Sequence, residues 1–142
     1  MSDDQHSEVN QLMYIVNDLE RIGDHVDNLK EITQYLKDNE MAFAEESLSG
    51  LNKMFEKSIK MVEYAKDALE HSDPELAYKI VSLEKEINEL DAENRTMHLD
   101  RLNRGKVDPG SGIIFLEALS NLERLADHTY NIGIQIVNSF PN

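Results

Sequence analysis

Residues 19–25 read Leu-Glu-Arg-Ile-Gly-Asp-His, and residues 122–128 read Leu-Glu-Arg-Leu-Ala-Asp-His. The second copy begins 103 positions after the first, and the two positions that differ remain apolar or small. A chain of 142 residues rarely repeats so specific a phrase by chance. Each copy places a glutamate and an aspartate four residues apart, which is about one turn of an α-helix. The repeat therefore indicates helices that present paired carboxylates, a spacing suited to metal ligands.

Helix start and stop signals surround the second copy. Asp73-Pro74 and Asp108-Pro109 each place an aspartate at the N-cap and a proline at the first helical position. Gly105 is typical of a helix C-terminus. Apolar residues recur at spacings of three and four, and no strand-like alternation is present. We predict one all-α domain over residues 1–142, an up-down antiparallel bundle of four long helices joined by short loops. The predicted helices cover about residues 7–37, 42–71, 74–104 and 109–139.

The apolar stripes of these helices predict the core. Small residues at the same place in the two copies, Gly23 and Ala126, predict close approach of a neighbouring helix. The first two stripes comprise Val9, Leu12, Val16, Leu19, Gly23 and Val26 in helix 1, and Leu48, Leu51, Phe55, Val62, Ala65 and Leu69 in helix 2. The last two comprise Ile80, Leu83, Ile87, Leu90 and Met97 in helix 3, and Leu119, Leu122, Leu125, Ala126, Ile132 and Ile136 in helix 4. Methionines at helical spacing are expected to fill the core.

Composition restricts the functions of the chain. Its net charge of −14 argues against nucleic acid as a partner and favours cations. It has no cysteine, which excludes disulfides, zinc–thiolate sites and thiol catalysis. No apolar run approaches the roughly 20 residues of a membrane span, and no signal peptide is visible. We expect a soluble, cytoplasmic chain.

The repeated carboxylates lie on a flank of each helix. At about 100° per residue, both pairs fall roughly 100–140° from the local apolar centre. Ferritin-like di-iron proteins instead aim carboxylates into the bundle and use a Glu-x-x-His motif, which this sequence lacks. A groove or surface site is therefore favoured over a buried oxidase centre. The alternative is that the adjacent arginines neutralise the carboxylates as ion pairs.

The repeated phrase resembles the signature of the PhoU family of phosphate-signalling proteins, whose repeat is a three-helix unit with this phrase on its third helix. Helices 2–4 resemble one complete repeat, and helix 1 resembles the last helix of a preceding repeat. Residues 101–115, running into the second phrase, are more similar to the PhoU-like cytosolic tail of bacterial sodium/phosphate cotransporters than to the free-standing regulator. The resemblance implies a membrane transporter domain attached upstream or a phosphate transporter as partner, at the inner face of the cell membrane. It leaves a homodimer open.

The resemblance also implies metal binding, because family members hold metal ions, including multinuclear iron, through paired Glu/Asp-x-x-x-Asp motifs at the protein surface. It favours a site between helices 3 and 4 and leaves the first acidic pair without a partner unless a missing helix or a second chain supplies one. An asparagine stands where the middle-helix motif usually has its aspartate, so a cluster there is expected to be weaker or smaller. Carried onto this sequence, the metal ligands are Glu20, Asp24, Glu84, Asn88, Glu123 and Asp127.

Oxygen ligands favour magnesium, calcium, manganese or iron, and zinc remains open. We predict a regulatory, metal-binding module that is not an enzyme and acts on phosphate uptake through protein contacts. The alternatives are a free-standing PhoU regulator, a carboxylate-bridged metal enzyme on a bundle, and a plain helical scaffold. If one acidic pair alone holds metal, we expect it to be Glu123 and Asp127.

Overall fold

The computed structural model describes residues 2–71 and 73–139. They form four α-helices, α1 (Asp3–Asp38), α2 (Glu45–His71), α3 (Pro74–Asn103) and α4 (Pro109–Ser139), and no strand occurs in these two ranges. The all-α prediction is confirmed. Over the described residues, no helix has the length and apolar character needed to cross a membrane.

Local capping explains where the helices begin and end. α1 starts earlier than predicted because Ser2 and Gln5 form a capping box, in which each side chain accepts a hydrogen bond from the other residue's backbone amide. Asp73 and Asp108 accept hydrogen bonds from amides in the first turns of α3 and α4. Gly105 follows the α3 C-cap residue Arg104 and has a φ of +68°, the left-handed conformation that favours glycine. These cap predictions are confirmed.

The four helices do not close into a ring. α2, α3 and α4 pack against one another as a three-helix unit, whereas α1 packs closely against α4 alone among the described helices. α4 is therefore the shared element, with two helices on one side and α1 on the other. This arrangement decides which side chains can meet across each groove.

The core lies within the three-helix unit. Every residue of the predicted α4 stripe is buried, and Ile80, Leu83 and Ile87 of α3 are buried against it. Met54 and Met61 of α2 are fully buried, which confirms methionine as core filler at these positions. Each such side chain contributes about 1.5–3 kcal/mol by leaving water.

The stripe predicted for α1 is wrong. Its apolar members face solvent, and α1 instead turns Ile15, Asp18, Ile22 and His25 onto α4. α1 carries two apolar stripes, and nothing packs close enough in the described structure to cover the predicted one. The exposed members of that stripe are Val9, Leu12, Val16, Leu19, Gly23 and Val26.

Parts of the α2 and α3 stripes are also wrong. In α2, Leu51 and Ala65 are buried as predicted, but Leu48, Phe55 and Leu69 are exposed. The α2 face that packs is rotated toward Met54, Ser58 and Met61, because α2 contacts α3 and α4 without closing onto α1. In α3, Leu90 is half-buried and Met97 is exposed.

Candidate metal centre

An acidic groove runs between α3 and α4. We use this name for the carboxylates of Glu84 and Asp91 on α3 and of Glu123 and Asp127 on α4. Glu84 interacts directly with Asp127 and also feels the charge of Glu123. The charge of Asp91 in turn acts on Glu123. Four carboxylates from two helices are thus close enough to perturb one another.

Glu84 is the most perturbed group in this groove. Its pKa is raised to about 7, first by burial, then by the side-chain interaction with Asp127 and the charge of that aspartate. The Asn88 amide donates to Glu84 Oε1 at 3.2 Å and lowers the pKa in part. Glu84 Oε2 is buried and has no hydrogen-bond partner within the described residues. An acceptor in this state is satisfied by a proton or by a cation.

The other end of the groove contains its own cation. Arg95 Nε donates to both carboxylate oxygens of Asp91 at 3.0 and 3.1 Å. Its Nη2 lies 3.5 Å from Glu123 Oε2. The pKa of Glu123 is raised by burial first and then by Asp91 and Asp127, against the opposing charges of Arg95 and Arg124. Arginine therefore neutralises one end, while no ion pair joins Glu84 to a basic side chain in the part of the chain described.

The structure brings together four of the six predicted ligands. Glu84, Asn88, Glu123 and Asp127 share the α3–α4 side. Glu20 and Asp24 are exposed on α1, which has no close contact with α3. Among the described residues, no three carboxylate or histidine side chains are arranged closely enough to hold a metal ion as they stand. Metal binding at all six positions therefore stays a prediction.

Sequence reasoning missed Asp91 and Arg95. Asp91 lies seven residues after Glu84, which is two turns along the same face of α3, and this spacing was the available signal. Arg95 follows Asp91 by four residues, the spacing of a helical ion pair. The arginine that forms ion pairs with these acids thus comes from α3, whereas Arg124 of the repeated phrase acts on Glu123 through its charge.

The repeated histidines mark a separate seam between α1 and α4. The rings of His25 and His128 stack with centroids 5.6 Å apart. His128 Nδ1 lies 3.0 Å from an oxygen of Asp18, and His25 Nδ1 lies 3.0 Å from the amide oxygen of Asn121. Both oxygens are acceptors, so each Nδ1 carries the proton and donates.

This seam has a local two-fold symmetry. Asp18 and Asn121 occupy equivalent positions in the two copies of the repeat, as do His25 and His128. The partners run in opposite directions along the two helices, so α1 and α4 are antiparallel. Each copy thus donates from its histidine to the other copy.

The donor set of the acidic groove suits a hard cation. Carboxylate oxygens are the preferred ligands of magnesium, calcium and manganese, and iron also accepts them. A cation beside Glu84 would satisfy Oε2 and favour the ionised carboxylate. The fold and site together define a helical, carboxylate-bearing module rather than a closed catalytic cavity.

Comparison with known proteins agrees with this class. The model of the PhoU domain family matches residues 51–136, more than half of the chain and most of the α2–α4 unit. The chain belongs to the PhoU family. No solved structure matches it.

One similar curated protein is the phosphate-specific transport system accessory protein PhoU homolog 1 of Thermotoga maritima. It is 29% identical over 133 residues, which cover 89% of this chain and 56% of that protein. The chain therefore spans little more than half the length of this relative.

Proposed function

We propose that this chain is a regulatory PhoU domain that acts in phosphate transport and binds a divalent or iron-type cation in its acidic groove. Family membership and the Thermotoga maritima relative, named as an accessory protein of phosphate-specific transport, support the regulatory part. The observation that carries the cation is Glu84. Its Oε2 is buried without a partner beside Asp127, and its pKa is about 7.

The cation would be held by Glu84, Glu123 and Asp127. Arg95 already occupies the Asp91 end, so the free coordination capacity lies at the Glu84 end. Asn88 directs its amide N–H to Glu84, which fits a role in positioning that carboxylate. A bound cation would supply positive charge that relieves repulsion between α3 and α4.

We propose a regulatory rather than a catalytic role. Glu123 and Asp127 lie on the outer flank of α4, and Asp127 is exposed. Water therefore reaches the carboxylates without entering a closed site, whereas carboxylate-bridged oxidases place their ligands inside the bundle. The domain would act through protein contacts, with a phosphate transporter as partner.

We further propose that the domain lies at the cytoplasmic face of the membrane as part of a sodium-dependent phosphate transporter. The similarity of residues 101–115 to the tails of such transporters supports this context. The free-standing regulator is the alternative. Hydrophobic spans directly upstream in the gene would favour the transporter, and an independent reading frame would contradict it.

Metal content tests the cation proposal. The protein is purified without chelator and its metals are quantified by mass spectrometry, beside Glu123→Gln plus Asp127→Asn. The same two substitutions in the other copy, Glu20→Gln plus Asp24→Asn, are the matched control. We expect about one metal ion per chain to be lost in the first variant and kept in the control. Metal that is absent from the parent protein, or unchanged in the first variant, would contradict the proposal.

A further inference from the structure

A second cluster of unsatisfied polar groups lies at one end of the bundle. Here the connection between α1 and α2 meets the connection between α3 and α4 around a cavity of about 160 Å³. We call this cavity the donor pocket. Its polar lining comprises Ser47, His98, Arg101, Lys106, Asp108 and Ser111.

Two of the three buried side-chain atoms that lack a hydrogen-bond partner in the described residues belong to residues that line the donor pocket. These two are His98 Nε2 and Arg101 Nε, and the third is Glu84 Oε2 in the acidic groove. A buried polar group left unpaired costs about 1–3 kcal/mol. The unpaired atom of the acidic groove, Glu84 Oε2, is an acceptor and favours a cation. The unpaired atoms at the donor pocket are a guanidinium donor, Arg101 Nε, and an imidazole nitrogen, His98 Nε2.

The position of His98 is fixed by packing. Its ring is 4% exposed and stacks on Phe115, with ring centroids 4.7 Å apart. The backbone of Gly112 at the start of α4 adjoins the ring, and a Cβ at that glycine would lie only 3.4 Å from Nε2. The pKa of His98 is lowered, first by burial and then by the charge of Arg101, with the Gly112 backbone as a partial offset. A bound anion would oppose the effect of the Arg101 charge and raise the pKa of His98.

The charges around the pocket favour an anion over a cation. Arg101 and Lys106 supply two positive charges against the one negative charge of Asp108, within a protein of net charge −14. The N-terminus of α4 adds the positive end of a 31-residue helix. Asp108 directs Oδ2 to the Ser111 amide as the helix cap. Glu46 pairs with Arg101 at 3.3 Å, but the Glu46 side chain is 71% exposed, so solvent screens its charge.

Size selects the class of anion. The cavity volume is about 160 Å³. It is smaller than the roughly 300–1,000 Å³ of pockets that enclose larger organic ligands. We propose that the donor pocket binds a small tetrahedral oxyanion, held by the Arg101 guanidinium, the Lys106 ammonium and His98 Nε2–H. The Ser111 hydroxyl also lines this space.

A bound oxyanion would link the α1–α2 connection to the α3–α4 connection at this end of the bundle. Lys106 belongs to the α3–α4 connection, and residues 42–44 of the α1–α2 connection line the opposite wall. The donor pocket uses none of the carboxylates of the acidic groove. Its test is therefore independent of metal binding.

Inorganic phosphate is the probe. It is titrated into ¹⁵N-labelled protein at constant ionic strength, with chloride as the balancing anion, and the amides of Ser111 and Gly112 and the Arg101 Nε–H are followed by NMR. We expect saturable shifts at these groups with phosphate and with sulfate. Arg101→Gln and Lys106→Gln should each weaken the affinity at least five-fold. Lys66→Gln, an exposed lysine on α2 far from the pocket, should leave it unchanged.

Several outcomes would overturn the proposal. These are shifts that rise linearly without saturation, shifts centred on other residues, and equal phosphate affinity in Arg101→Gln. Shifts produced by phosphatidylglycerol vesicles but not by phosphate would also overturn it, because the ligand would then be a membrane surface. The amide spectrum of each variant away from the pocket shows whether the fold is retained.

Discussion

α1 and α4 carry the same phrase and have opposite environments. Leu122 of α4 is 2% exposed, whereas Leu19, its equivalent on α1, is 48% exposed. Other equivalent pairs behave in the same way. The buried α4 residues are Phe115, Leu119, Leu122, Ala126 and Thr129, and their exposed α1 equivalents are Leu12, Val16, Leu19, Gly23 and Val26.

The difference shows that this phrase encodes a helix with three distinct sides. One side carries the acids, a second carries the histidine seam, and the third is an apolar face that receives a pair of helices. On α4 all three sides are engaged, by α3, by α1 and by α2 with α3. On α1 the described structure engages the seam alone. A large exposed apolar face of this kind is typical of interaction surfaces.

Truncating a leucine of the apolar face should give the largest difference in stability between the two helices. Leu122→Ala should lower the free energy of unfolding by about 2–5 kcal/mol, because it leaves a cavity in the core. Leu19→Ala should cost less than about 0.5 kcal/mol, as for most exposed positions. Urea unfolding followed by circular dichroism measures both. Equal losses would show that α1 is covered in the isolated chain.

The uncovered face should also drive association between copies of the chain. An apolar groove of about 450 Å³ between α1 and α2, lined in part by Val26, Phe55 and Ile59, continues this face. The sedimentation coefficient of the parent protein should rise with concentration. Leu12→Lys plus Leu19→Lys should abolish that rise by placing charges on the face.

The control for association replaces apolar residues that are equally exposed elsewhere. Leu99 and Ile113 are 58% and 62% exposed on α3 and α4. Leu99→Lys plus Ile113→Lys should leave the concentration dependence as in the parent. Loss of association in this control as well would assign the effect to net charge rather than to the α1 face.

The acids of the two copies should also differ in their pH response. This is the smallest of the expected effects. The pKa of Glu84 is raised from 4.5 to about 7, first by burial and then by its α4 neighbours, so the folded state binds more protons than the unfolded state between these values. The stabilisation that comes from protonated Glu84 is fully present below pH 4.5 and is lost as the pH rises through about 7. From pH 5 to pH 8 the parent should therefore lose about 1 kcal/mol more stability than Glu84→Gln. The difference stays this small because solvent screens the charges in the open groove.

Glu20→Gln is the matched control, since no α3 carboxylate faces it. This variant should keep the pH dependence of the parent. Thermal unfolding at both pH values gives the comparison, and manganese should restore stability at pH 8 if a cation replaces the proton. A parent and Glu84→Gln that respond identically to pH would show that the groove does not hold this proton.

The sequence predicted the elements and the sides of α4 well. Capping residues and 3.6-residue periodicity are local, so the four helices, the starts of α3 and α4 and the buried α4 stripe could be read directly. The flank position of Glu123 and Asp127 followed from helix geometry alone. The grouping of Glu84 with Asp127 came from the family resemblance, because no local pattern specifies which groove a flank faces.

What the sequence determined by itself was a pair of equivalent helices, each with an acidic flank, a histidine position and an apolar face. Only the tertiary structure decided which of those sides is used, because the choice depends on neighbours distant in the chain. It placed α2 and α3 on α4 and left the equivalent face of α1 open. It also brought Arg95 to the acids and joined the histidines across the seam. The same phrase thus forms part of a core in one copy and an exposed surface in the other, because burial requires a partner that the phrase does not encode.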